Sequence, residues 1–445
     1  MPNDDRAPGA PLGPLLARAV HYGFATSLAG WVLAYALRLP GNYVPPALIG
    51  VGLIGAQLVG AARAGSRAGP TAPWLAGLAT ALLASALNLL IILSAFTGGS
   101  DDQSRALDPA LAALTYLPIS AFVGAIAGWI GGRARRAEPT IEPNWIGRFA
   151  ILNTLAAFIL LIVGGIVTSA AAGLAVPDWP SSFGDNMFLF PLSKMTGGVF
   201  IEHAHRLLAV LVALTTATLL GWSIAARTPI RTILAVGLAS ALVITQAILG
   251  GVRVIEAATT IAIVHGVIGQ LYVASLAFAA ALLSTTWRSP REPTPIAGAG
   301  ALRTLILVAL IALIVQIGFG AVVRHSHLQP HILWTHVSWS VVVTILLLAA
   351  GVRGQHRLGP VSPILRRAAT ATKHTVLLQM ALGVVALIAA ILYKDANPPP
   401  PVSIALRTTH QAVGNVLLIA ATLLTAWTIR LTRPAPHRHD GPTDP

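Results

Sequence analysis

Apolar runs of about 20 residues, the length that crosses a bilayer core as a helix, alternate with short polar stretches along nearly the whole chain. They lie near 14–37, 46–63, 73–96, 109–132, 149–171, 204–226, 232–252, 260–284, 303–323, 332–352, 372–393 and 404–430. The pattern predicts an all-α polytopic membrane protein of about twelve transmembrane helices. The second run is the shortest and is rich in glycine. Composition agrees: the 445 residues are 55% hydrophobic and only 10% charged, where a soluble domain carries about 25%.

The net charge of +14 brings nucleic acid to mind. The cations, however, lie between the apolar runs and not on one face, so they read as loop charges and nucleic acid is set aside. With the N-terminus in the cytoplasm, 21 of the 29 Lys and Arg fall on the inside, the bias expected of a membrane protein with both termini cytoplasmic. The outside keeps Arg38, Arg105, Lys194, Arg206, Arg253, Arg324, Lys394 and Arg407. There is no cysteine, which excludes disulfides, thiolate metal sites and thiol nucleophiles. Asp4 and Asp5 argue against a mitochondrial presequence, and the first apolar run is too long for a signal-peptide core. A bacterial cytoplasmic (inner) membrane is the expected location.

A basic loop over 131–148, with Pro139 and Pro143, reads as a boundary. Residues 1–140 form an N-terminal region of about four helices with little polar chemistry apart from His21 and Asn88. A lone Asn in such a span is most simply helix–helix glue. Beyond the boundary the chain repeats. Gln246 and Gly250–Gly251 precede His265, Gln316 and Gly320 precede His336, and Gln379 and Gly383 precede His410. Two related four-helix bundles follow, 141–295 and 296–432, with a cytoplasmic tail at 433–445.

His205, His265, His336 and His410 each sit a few residues inside an even-numbered span. All four fall near the outer ends of their helices, two per unit. In an antiparallel bundle the second and fourth helices face each other, so two imidazoles meet across the core. That arrangement suits a haem with two axial ligands. Zinc competes less well, since it takes three or four close ligands. Singly, each His could equally be a hydrogen-bonded helix-end residue. His21, His203, His325, His327, His331, His356, His374, His437 and His439 are expected to be solvated or interfacial, His203 because it lies two residues from His205 and faces away.

Glu202 stands three residues before His205, on the same helix face. It reads as a proton-transfer group or cation stabiliser beside a haem pocket, or as a residue of the helix start. Arg206 and Arg324 are candidates to pair with haem propionates or to anchor at the interface. The second unit has Leu333 where the first has Glu202, and it lacks the long loop over 172–201. The first unit is therefore expected to react and the second to hold a resident electron-transfer haem.

The segments Ile166–Thr168, Gly173–Pro180 and Glu202–Arg206 resemble the haem A synthase family. So do Leu249–Gly251 with His265, Arg324 with His336, and Leu382–Gly383 with His410. The likeness runs over about 145–430. It implies oxidation of the ring methyl of haem O to the formyl group of haem A by successive hydroxylation, for terminal oxidase assembly. It also implies that His205 and His265 serve the substrate haem O, that His336 and His410 ligate haem b, and that Glu202 is the essential acid. The implied partners are haem O, membrane lipid, a farnesyltransferase that makes haem O, and an electron acceptor of unassigned identity; a homo-oligomer stays open. The chain departs from the family twice. Ser181 and Ser182 stand near where many members carry a cysteine pair, and the first four spans are extra. The alternative function is a bis-His dihaem electron carrier with no chemistry of its own. A transporter is a third reading, weakened by the lack of charged residues near the helix midpoints.

Overall fold

The computed structural model describes residues 13–42, 44–68, 72–96, 109–134, 143–326 and 328–435. His327, His437, His439, Arg105, Arg135 and Arg136 lie outside them, as does most of the expected tail. Among the described residues the chain is a series of long helices: α1 (Pro14–Leu37), α2 (Pro46–Ser66), α3 (Pro73–Phe96), α4 (Pro109–Arg133), α5 (Trp145–Ser169), α6 (Gly197–Ala225), α7 (Ile230–Glu256) and α8 (Thr259–Leu283). A four-residue turn, α9 (Thr285–Arg288), precedes α10 (Ala299–His325), α11 (Pro330–Arg357), α12 (Pro363–Leu392) and α13 (Pro401–Leu431). Eleven of these are long and apolar enough to cross a membrane. The twelfth long helix, α1, falls outside that set and carries Arg18, His21 and Tyr22 near its start.

Helix starts follow simple chemistry. Proline opens α1, α2, α3, α4, α11, α12 and α13, at the position where its missing N–H costs nothing. Asn144 caps α5 by accepting from the Gly147 N–H at 3.2 Å. Two starts differ from the sequence reading. Helix α6 begins at Gly197 and not near 204, and α12 begins at Pro363 and not near 372. Hydropathy marks where a helix is apolar. It does not mark a start that polar residues cut off from the rest of the run: Glu202, His203, His205 and Arg206 lie within α6, and Arg366, Arg367 and Lys373 within α12.

The chain divides into two compact units, 1–261 and 262–445. The division reflects packing, whereas the repeat at 295/296 reflects the spacing of histidines.

In the first unit, the N-terminal helices meet through backbone. A methyl group added at Gly77 would stand 2.3 Å from the Gly124 carbonyl oxygen, and one at Gly65 2.0 Å from that of Gly128. Such close approach is how helices associate where lipid removes the hydrophobic drive. Asn88 accepts from the Trp31 indole N–H at 3.0 Å, tying α1 to α3. Gln57 donates to Ser85 Oγ at 2.9 Å, tying α2 to α3. Helix α1 packs on α5 and α6. Phe149 of α5 is fully buried, with its ring 5.4 Å from Phe24 of α1 and 5.6 Å from Trp222 of α6.

In the second unit, α10 packs on α11 and α13, and α12 packs on the same two. Helices α11 and α13 therefore stand on the diagonal of a four-helix bundle. Leu347, Leu358, Leu365, Leu417, Leu418 and Leu424 are its largest fully buried side chains. The core takes in Ala274 and Ala281 of α8. A short parallel ladder, β1 (Thr294–Ile296) with β2 (Thr432–Pro434), joins the entry of the bundle to its end. Arg303 donates to the Thr432 carbonyl, and Arg430 donates to the Arg291 carbonyl at 3.0 Å.

Candidate functional site

In the first unit the site is built around the second turn of α6. Thr196 is extended and Gly197 has φ +52°, a left-handed backbone that glycine takes without strain. Helix α6 can then start early, placing Glu202, His203, His205 and Arg206 inside it. Glu202 and Arg206 are four apart and share a face. Their side chains form an ion pair at 2.7 Å, 4% and 9% exposed respectively.

The loop over 170–196 wraps this pair. Glu202 Oε2 accepts from the Val176 N–H at 2.9 Å. Arg206 donates through Nη2 to the Val176 carbonyl at 3.0 Å and to Glu202. Through Nη1 it donates to the carbonyls of Asp178, at 2.7 Å, and Ser181, at 3.2 Å. Asp178 in turn accepts from the N–H groups of Phe183, at 2.7 Å, and Gly184, at 2.8 Å. Slight burial pushes the Asp178 carboxyl upward, but hydrogen bonds from Ser181, Gly184 and Phe183 outweigh it and hold the group below the usual carboxylate range. Helix α7 closes the far side. Arg253 donates to the Gly173 carbonyl and lies within electrostatic reach of Glu202. A methyl group at Gly251 would stand 2.5 Å from the Trp179 indole, so glycine is required for that ring to lie flat on α7.

His203 departs from the sequence reading. It is fully buried, not solvated or interfacial. Its Nδ1 lies 3.2 Å from Ser182 Oγ, and its ring is 5.2 Å from that of Phe190. It faces away from His205, as the spacing requires, but the loop covers that side. Ser182 thus takes part in holding the loop.

The bundle histidines share one seat. His205 rests on Gly164 of α5, His336 on Gly320 of α10, and His410 on Gly383 of α12. A methyl group at those glycines would stand 3.1, 3.1 and 3.2 Å from the respective ring Cε1 atoms. Each glycine removes the Cβ that would push the imidazole off the neighbouring helix. One turn earlier lie Gln316 and Gln379. The Gln316 amide donates to the His336 carbonyl at 3.1 Å, and Gln379 Nε2 lies 3.2 Å from His410 Nδ1. Leu160 holds the matching place before Gly164.

His336 and His410 come from the diagonal helices and lie within electrostatic range of each other and of Arg324. Arg324 donates to Gln411 Oε1 and is in range of Arg407. His265 sits half-buried on α8 in this second unit. The donor set fits a haem: two neutral nitrogen ligands from facing helices, each seated on glycine, with cations at hand for propionates. Among the described residues no group of three or more His, Cys, Asp or Glu could hold a lone metal ion.

Of the residues singled out in the sequence, Glu202, His205 and Arg206 fall on one stretch of α6, and Arg324, His336 and His410 gather in the second bundle. Sequence reading missed the burial of His203 and the roles of Ser182 and Arg253. The one available signal was the i, i+4 spacing of Glu202 and Arg206. Residues 147–332 match the model of a family described as COX15-CtaA, cytochrome oxidase assembly protein. The match takes in Glu202, His205, Arg206, His265 and Arg324 and stops short of His336 and His410. No curated protein matches the chain.

Proposed function

Since residues 147–332 belong to the cytochrome oxidase assembly family, we propose that the protein is a membrane oxidoreductase of haem A synthesis. It oxidises the ring methyl of haem O to a formyl group in two successive two-electron steps. Water supplies the oxygen, protons pass toward Glu202, and the electrons leave to an acceptor outside this chain. By the sequence repeat, His205 serves the substrate haem, while His336 and His410 hold haem b. When bound, haem b supplies one-electron transfer. Arg324 is the proposed partner of a propionate, and Arg206 fixes the loop on the substrate side.

One observation carries this reading. Glu202 is 3% exposed, locked between Arg206 and the Val176 N–H, three residues before His205. A buried carboxylate costs several kcal/mol to desolvate, and a plain haem carrier has no use for it. So placed, it can accept a proton from attacking water or stabilise positive charge developing at the methyl carbon. The second unit has no equivalent.

The test is to produce the full chain with a source of haem O and analyse the extracted haems. Haem A or its hydroxylated precursor is expected. In Glu202→Ala the haems remain bound and the product is absent. Two b-type haems that never change in the parent chain would overturn the reading and leave a dihaem electron carrier.

A further inference from the structure

The N-terminal helices are more than a neighbour of the first site, because α1 runs along α5 and ends beside the loop that covers Glu202. Near its start, His21 and Tyr22 place their rings 5.6 and 5.9 Å from that of Trp145. Near its end, Tyr35 stacks on Phe200 of α6, with centroids 5.6 Å apart and planes 19° apart. Tyr35 thereby packs on the cluster formed by Val167, Ala172, Phe190, Met195, Phe200 and Ile201, which joins both ends of the loop. Arg38, just past the helix, sets its guanidinium 5.6 Å from the centre of the same Phe200 ring. It also makes a long hydrogen bond, 3.5 Å, to the Leu192 carbonyl.

A cation at the end of a membrane helix ordinarily turns toward water. Arg38 turns inward, over an aromatic ring two residues before Glu202 and onto the last turn of the loop. We propose that the N-terminal region acts through α1 as a built-in clamp on the 170–196 loop, with Tyr35 and Arg38 as positioning residues that hold Phe200 and Leu192 and so keep the loop closed over Glu202. This gives residues 1–140 a role in the first unit. Its bearing on haem chemistry rests on the reading of Glu202 above; the clamp itself does not.

Trypsin can read the clamp directly. Lys194 lies exposed in the 3-10 turn Leu192–Lys194, whose first carbonyl Arg38 holds. Lys394, 65% exposed, is a control in the second unit. In the purified full chain, Arg38→Ala and Tyr35→Ala are expected to speed cleavage at Lys194 roughly five- to tenfold, the size of losing one hydrogen bond together with a cation–π or ring contact. Cleavage at Lys394 stays unchanged, and Arg38→Lys, which keeps the charge over Phe200, recovers part of the protection. Unchanged cleavage at Lys194 overturns the proposal. Equal acceleration at both sites also overturns it, since that reports general loosening. If Arg38→Ala cannot be purified, Arg38→Gln serves with the same readout. No haem chemistry enters the measurement, so failure of the clamp and failure of the catalytic reading are separate results.

Discussion

His205 in the first unit and His336 in the second occupy the same kind of seat, an imidazole pressed on a helix glycine, yet their surroundings differ. Around His205 stand a buried carboxylate, its arginine partner and a loop stapled over both. Around His336 stand an amide and, within the same bundle, a second histidine. The seat is common and sets geometry. The surroundings differ and set chemistry. The seat recurs at His410, and an acid stands three residues before the histidine at His205 but not at His336.

The sharpest way to break this contrast is Glu202→Gln. Loss of a positioned proton-transfer group lowers conversion on the order of 10²- to 10⁴-fold, measured as haem A per bound haem by chromatography, with haem content kept. The seats come next. Gly383→Val forces a branched side chain into the space of the His410 ring, an overpacking that costs about 1–3 kcal/mol. Electron paramagnetic resonance is expected to show the resident low-spin haem signal lost in Gly383→Val and retained in Gly164→Val. Loss in both would mean that the seats are not separate. A smaller effect is expected of Gln379→Leu, which removes a contact worth about 1 kcal/mol. It should alter the g-values of that signal without abolishing it, because the glycine still seats the ring.

The smallest effect concerns pH. The Asp178 carboxyl is held below its ordinary value by the hydrogen bonds it accepts. Its contribution to loop order is therefore full above the unfolded value, near 4, and is lost as pH falls through the lower folded value. Amide protection at Phe183 and Gly184, corrected for intrinsic exchange, is expected to drop on acidification through that range. In Asp178→Asn it is expected to be low throughout.

Much of the architecture was legible because a bilayer imposes long apolar runs, and twelve runs became twelve long helices. The histidine repeat was legible for a similar reason: glutamine, glycine and histidine follow in a fixed order at His265, His336 and His410. What lay hidden depends on contacts distant in sequence. Nothing in the pattern near His203 reveals that Ser182 and Phe190 cover it. Nothing near Arg38 points to Phe200. The early start of α6 was missed because Glu202, His203, His205 and Arg206 interrupt the apolar run one turn after the helix begins. The ladder between β1 and β2 was missed because three residues containing a proline are too short and irregular to read as a strand.

That ladder has a consequence for the order of biosynthesis. The second bundle is closed by Thr432–Pro434 pairing with Thr294–Ile296, so its seam can close only after the whole of α13 has been made. The contacts within residues 1–261, including those of the loop over Glu202, need nothing that comes later. Chains generally mature from the N-terminus during synthesis. The hydrogen bonds of the carboxylate-bearing loop can therefore form while the bundle of His336 and His410 is still a partial product, and a chain that stops before Thr432 would leave that bundle open at its seam.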